Sequence, residues 1–444
     1  MGLGGDFLSS ISFVHLSDIH FVKSSNNPAD IDRELRDAII TDLDVNAKNV
    51  LENVSGILVS GDIAFSGTKT EYEKAKKYLL EISDLFSISP SDIYCVPGNH
   101  DVDLTVADKS LAVLQAQSAI DEHLSIDAAD DAFAKSITDY YYNDVLFEPL
   151  REYNEFSNRF NCNISAERIS WSKDFPLDCG LKLCLIGITS CFVPNSRDRL
   201  VYIGQSQIPR HMPDTAVMLM CHHPPECWKF GSDIIDRINK RADVQLYGHM
   251  HMQSVKLDEN NAVLFSGATH PQRMADWAPR YNWITVSSEI VDGDKILNID
   301  IYPRILSESR DRFQADISAT SNGIFIHHAI NIDRKRRQDL RDPCLSYKSV
   351  ETPKDDLRDT CAIVSETKIQ SEVNERGLIY NFYELSVFQQ FELLGKFKLI
   401  SEQDKGLSIA SALNIAIQRA KEQGTLQSLY NCIMEVVSKR EEIV

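Results

Sequence analysis

The strongest constraint on this chain is where its polar clusters fall. Short apolar runs at residues 11–16, 57–60, 93–96, 183–188, 217–220 and 244–247 punctuate the first part of the sequence. Each is apolar throughout and rich in β-branched residues, as strands covered on both faces are. Asp, His and Asn gather just after several of these runs, as in Ser17-Asp18 and Pro97-Gly98-Asn99-His100. Amphipathic segments at 31–51 and 71–85 lie between the runs with helical spacing. Alternating strands and helices predict an α/β architecture, a layered β-sandwich flanked by helices. Ligands of such sheets bind at the carboxyl ends of the strands, where these clusters sit.

The strand rhythm stops between 104 and 182. This span reads as a helical insertion rich in aromatics: Tyr140, Tyr141, Tyr142, Phe147, Tyr153, Phe156 and Phe160. It is either a cap beside the site or a plain structural elaboration with the aromatics in its core. Residues 261–285 read as more strand and loop, and 296–302 alternate like an edge strand. Charge rises and periodicity weakens from 307 to about 372. There, the basic run Asp333-Arg334-Lys335-Arg336-Arg337 reads as a solvated face. The last segment is helical. Ser386 and Gln389 form a capping-box signature, and Leu413, Ala416, Ile417 and Ala420, then Leu426, Leu429, Tyr430 and Ile433, repeat at helical spacing. The expected division is a catalytic domain over 1–306, an irregular linker over 307–374 and a small all-α domain over 375–444.

Charge and cysteine usage narrow the function classes. The formal net charge is −19 and the pI about 5.1. Such a chain gains nothing from long-range attraction to nucleic acid or to an anionic membrane. No stretch approaches the ~20 apolar residues of a membrane span. Met1–Ser10 lacks a basic region followed by an apolar run, and Asp6 stands where an acylation signal wants Ser or Thr, so neither a secretion signal nor a lipid anchor is expected. The ten cysteines show no CxxC pair, and Cys184 and Cys221 lie inside apolar runs. That usage fits a reducing cytoplasm.

The chemistry is carried by five clusters read in order: Asp18-Ile19-His20, Gly61-Asp62, Gly98-Asn99-His100-Asp101, His222-His223 and Gly248-His249-Met250-His251. Each alone is weak, but five in this order, each after a predicted strand, form a pattern. Carboxylate, amide and imidazole donors without a thiolate suit a pair of divalent ions such as Mn, Fe, Zn, Ni or Co. A carboxylate can bridge two ions ~3.5–4 Å apart. Asp62, alone after its strand and preceded by a glycine, is the natural bridge. Histidines at i and i+2 on an extended loop point different ways, so His249 and His251 can serve different ions.

These residues and their order resemble the calcineurin-like metallophosphoesterase superfamily over roughly residues 11–300. The resemblance implies that Asp18, His20, Asp62 and His251 hold one ion. It implies that Asp62, Asn99, His222 and His249 hold the second, and that His100 faces the leaving group without binding metal. Strand alternation lets one of His222 and His223 face the ions, and His222, directly after Cys221, is preferred. Asp101 either orients His100 or caps the following segment. The implied reaction is hydrolysis of a phosphate ester by a metal-bound hydroxide. Near the clusters only Lys23, Arg197, Arg199 and Arg273 offer positive charge, which favours a phosphodiester over a dianionic monoester.

Two other readings compete. A nuclease branch shares the five clusters, though net acidity counts against it. The helical tail is faintly similar to small adaptor domains of effectors in bacterial conflict systems, which would make it a recruiter of a partner or of another copy; it reads equally as a plain helical subdomain packed on the enzyme. His15, His123, His211, His270, His327 and His328 read as structural or surface histidines. Trp171, Trp228, Trp277 and Trp283 read as packing residues.

Overall fold

The computed structural model describes residues 10–22, 32–139, 143–193, 200–270, 278–321, 323–341, 375–383, 385, 387–401, 404 and 409–441. Tyr140–Tyr142, Lys23, Arg197, Arg199, Arg273, Trp277 and Ser386 lie outside them.

Two sheets form the core. The first contains β1 (Ile11–Leu16), β2 (Val54–Val59) and β3 (Ile93–Cys95), paired in parallel. On the other side of β1, antiparallel, comes β10 (Arg280–Val291), then β11 (Asp294–Leu306). The second sheet runs β4 (Ser170–Pro176), β5 (Lys182–Ile188), β6 (Thr215–Met220), β7 (Val244–Tyr247), β9 (Ala262–Phe265) and β8 (Ser254–Leu257). Its β5, β6, β7 and β9 are parallel.

The apolar strands are covered on both faces, and alternation assigns each face. Leu183, Leu185, Met218 and Met220 join the main core, where Phe13 of β1 meets Phe175 of β4 edge-on at 5.3 Å. Their neighbours Cys184, Ile186, Val217 and Leu219 point the other way. There they pack with Ile234 and Ile238 of the helix Gly231–Arg241. The first sheet is covered by the helix Lys69–Leu85, which buries Tyr72, Ala75, Tyr78, Leu79 and Ile82 at helical spacing. Glu71 closes its capping box by accepting from Thr68 N at 3.0 Å. The fold is thus the layered α/β sandwich expected from the sequence.

The insertion is helical at Leu104–Lys109, Leu111–Asp121, Ile126–Thr138 and Arg151–Ser157. Its described aromatics are packing residues. Tyr153 is fully buried and donates to Cys95 O at 3.1 Å, and Phe156 stacks on Tyr72.

The first sheet does not end near residue 306. β12 (Phe313–Ala315) and β13 (Ile326–Asn331) both pair with β11, so β11 is an interior strand and not an edge. Ile330 and Ile332 enter the main core. Residues 313–341 therefore belong to the sandwich and are not a linker. Nor is the basic run wholly a solvated face: Arg334 and Arg337 are exposed, but Lys335 and Arg336 turn inward. It lies on the helix Ile332–Arg341, which clamps the first sheet to the second. Lys335 is 2% exposed, with Nζ 2.8 Å from the buried Asp243 and 2.9 Å from Ala242 O. Arg336 meets the other Asp243 oxygen at 2.8 Å, and Asp243 also accepts from Val217 N. Asp243→Ala would strand the Lys335 ammonium without its counter-charge, so a loss of about 3 kcal/mol is expected in urea denaturation. A loss below about 1 kcal/mol would show that the clamp does not hold the sheets.

The tail forms four helices, Glu375–Tyr383, Val387–Lys396, Ile409–Glu422 and Leu426–Glu441, around Leu378, Phe382, Leu394, Leu413, Ala416 and Leu429. It docks on the sandwich through a buried arginine. Arg376 Nε donates to Ser91 O at 2.6 Å and Nη2 to Ile93 O at 2.9 Å and to Phe160 O. The guanidinium lies 4.3 Å from the Tyr94 ring centroid.

Candidate metal centre

The loops after β1, β2, β6 and β7 are tied to one another by backbone hydrogen bonds. Asp18 N donates to Gly61 O, His20 N to Asp62 O, and Gly248 N to His222 O, all at 2.9–3.0 Å. Asp18 (φ 50°), His20 (φ 53°), Asp62 (φ 51°), His249 (φ 69°) and His251 (φ 57°) all adopt the left-handed backbone. Such residues cost roughly 1–3 kcal/mol each and persist only where their surroundings over-determine them. Glycine is required beside them: a Cβ on Gly98 would lie 2.2 Å from Asp62 Oδ1, and one on Gly61 2.5 Å from His222 Nδ1.

Asp62 sits at the centre. Its Oδ2 lies 3.7 Å from His20 Nε2 and 3.3 Å from His222 Nε2. Its Oδ1 accepts from His100 N at 2.8 Å. Asp18 Oδ1 lies 3.4 Å from His251 Nε2, and Oδ2 accepts from Ser17 Oγ at 2.5 Å. Asn99 Oδ1 is 3.1 Å from His249 Nδ1. The possible ligand atoms of Asp18, Asp62 and His222 lie within 4.8 Å of one another, as do those of His20, Asp62 and His100.

Charge follows from this geometry. Burial alone would raise the Asp62 carboxyl, but His222 and then His20 outweigh it and hold it well below the usual carboxylate range. Burial would lower His222, yet Asp62 and then Asp18 push it up to about 9. Burial lowers His20 to about 3. The buried carboxylates thus demand positive charge.

The donor set fits divalent ions. His222 Nδ1 lies 2.9 Å from Ser60 O and is the nitrogen that donates there, which turns Nε2 toward Asp62. His222 Nε2 and His20 Nδ1 are buried without a hydrogen-bond partner. Buried polar atoms in that state need another partner. Two carboxylates, an amide oxygen and several imidazoles converge, a mixture that suits transition-metal ions.

Every residue singled out in the five clusters comes to this place, with some differences in role. His223 does not turn away as alternation suggested. Its Nδ1 is 2.6 Å from Ser190 Oγ and its ring 4.4 Å from His249. The Asp101 carboxylate accepts from Ile63 N, Ala64 N, Gly98 N and the Tyr72 hydroxyl, tying together the loops after β2 and β3. His100 Nδ1 is bound to Phe65 O at 2.8 Å. His270, read from the sequence as structural, also reaches the centre, 4.8 Å from the His20 ring. Its signal was available: it follows β9, whose carboxyl end faces the same way as that of β7.

The calcineurin-like phosphoesterase model matches residues 11–253, from β1 through His251. The chain belongs to that family. The tail of the chain, residues 374–435, matches the model of the GTPase-associated adaptor domain. A comparison with curated proteins finds none that matches. Among solved structures, the phosphoesterase is similar to a Staphylococcus aureus protein named a 5′-nucleotidase, at 13% identity and TM-score 0.32, over 63% of this chain and 51% of that one. The chain thus spans about half of that protein's length. A Streptococcus pneumoniae protein described as a phosphoesterase is similar at 11% identity and TM-score 0.28, over 72% of this chain and 99% of that one. Vps29 from Entamoeba histolytica, with zinc, is similar at 11% identity and TM-score 0.28, over 69% and 97%. No helix of the described residues is long and apolar enough to cross a membrane.

Proposed function

We propose that this phosphoesterase holds two divalent ions and hydrolyses a phosphodiester. The observation that carries the reading is Asp62, which faces His20 on one side and His222 on the other. Asp18, His20 and His251 would complete one ion position around it. Asn99, His222 and His249 would complete the other. Bound ions would supply Lewis acidity and a water acidic enough to act as a nucleophile near neutral pH.

The chain's own residues then have distinct tasks. Asp62 and Asp18 supply the negative charge that holds cations. His100 donates or accepts at the substrate side: its Nδ1 is committed to Phe65 O, which leaves Nε2 for a phosphoryl or leaving-group oxygen. Asp101 is a positioning residue that fixes the backbone of the loop bearing Asn99 and His100. Among the described residues, those gathered at the centre are imidazoles, carboxylates and an amide; the preference for a diester over a dianionic monoester rests on the few cations that the sequence places near the clusters, Lys23, Arg197, Arg199 and Arg273. The basic helix is spent on the sheet clamp, which weakens the nuclease alternative. The adaptor match supports a second task, recruitment of a protein partner by the tail.

The decisive experiment is a metal-reconstituted screen against a phosphomonoester, a linear phosphodiester, cyclic nucleotides, and single- and double-stranded DNA. Highest turnover on a non-nucleic diester supports the reading; highest turnover on DNA replaces it with the nuclease. In the same assay His100→Ala is expected to keep both ions and lose roughly 10²–10⁴ in rate. Loss of metal together with rate would make His100 a ligand.

A further inference from the structure

We propose that His270 is an additional ligand of the ion position formed by Asp18, His20, Asp62 and His251, giving that position three imidazoles and a preference for zinc, iron, cobalt or nickel over manganese. The proposal rests on the dinuclear reading above and deepens it.

Three rings enclose one point. The possible ligand nitrogens of His20, His251 and His270 all lie within 4.8 Å of one another. The ring of His270 meets those of His20 and His251 edge-on, with centroids 4.8 and 5.0 Å away. A shared cation is a partner that three converging imidazoles can all satisfy.

The loop that delivers His270 is stitched to the ligand loops. Ser266 N donates to Tyr247 O at 2.7 Å and Ala268 N to His251 O at 3.3 Å. Thr269 N reaches Ser17 O and Asp18 O at 3.1 and 3.2 Å, and its hydroxyl donates to Ser17 O at 2.8 Å. The residue before His270 thus grips the backbone of Asp18 itself. Gly267 permits the path, since a Cβ there would lie 2.6 Å from Arg280 Cβ. His270 is 6% exposed. Its position is fixed by the same contacts that fix the ligands.

The consequence for metal choice follows from donor softness. Manganese favours carboxylate, carbonyl and water oxygens, whereas imidazole suits zinc, iron, nickel and copper. A third imidazole shifts this position toward the second group, while the Asn99 position keeps its amide oxygen.

The test uses the full chain, stripped of metal, as wild type, His270→Ala, His270→Gln and Asp62→Asn. Zinc and manganese are titrated by calorimetry, and the visible spectrum is recorded with cobalt. Wild type is expected to take up two ions. His270→Ala should bind zinc about tenfold or more weakly at one of the two steps, change manganese binding little and alter the cobalt bands. His270→Gln keeps a polar side chain of similar size, carries the same expectation and is read if the alanine variant does not fold. Zinc binding and cobalt bands identical to wild type in a folded His270 variant would overturn the assignment. Wild type that binds no ions would instead overturn the dinuclear reading, and Asp62→Asn that binds two ions normally would overturn the bridge.

Discussion

Asp62→Asn is expected to remove both ions and lower turnover by at least roughly a thousandfold. Asp62 Oδ2 lies 3.7 Å from His20 Nε2 and 3.3 Å from His222 Nε2, so either proposed ion position loses a ligand when its charge goes. An amide offers one oxygen in place of two and no net charge. It also puts an NH2 either toward His100 N, which donates to Oδ1, or toward the two imidazoles. Folding should survive, because the charge that His222 carries without metal depends first on Asp62 and is lost with it. Metal analysis and turnover of the purified variant check this. Two ions per chain with near-normal rate would refute a shared bridging carboxylate.

Arg376→Ala is expected to destabilise the chain by about 3–5 kcal/mol, a large part of the 5–15 kcal/mol that holds a typical protein together. The guanidinium donates to the buried carbonyls of Ser91, Ile93 and Phe160, which lose that charged donor in the variant. It also covers Tyr94 at the start of β3. Truncation near residue 372 removes this plug together with the tail's core, so a poorly soluble catalytic domain is expected in place of a free-standing one. From the sequence alone the tail reads as a recruiting module or as a helical subdomain packed on the enzyme. The structure docks its first helical turn into the sandwich. Chemical denaturation of Arg376→Ala measures the effect, and a shift under about 1 kcal/mol would restore the picture of an independent module.

The candidate clusters were legible because they obey a local rule. Apolar strands end, and the next residues carry the donors, as at Asp18 after β1 and His249 after β7. The layered α/β fold was legible for the same reason, since strand and helix periods differ. What escaped depended on partners far away in sequence. Lys335 lies in a run of charges that reads as solvated, and Asp243, far earlier in the sequence, turns it into a buried clamp. β12 and β13 are short and interrupted by polar residues, and they become strands because β11 offers open hydrogen bonds. His270 does follow a strand, β9, but only after residues 266–269 and with no second donor beside it. Arg376 stands at the start of a helix, where nothing local says that it leaves its own domain.

The left-handed backbone at five of the proposed ligands has a practical consequence. These conformations are held by the loops' own hydrogen bonds and by the glycines packed against them. The loops hang from two apolar cores. Unlike a small zinc-dependent fold, such a sandwich has a core of its own to shape it. Chelation should silence this chain without unravelling it, and resupply should revive it without a refolding step.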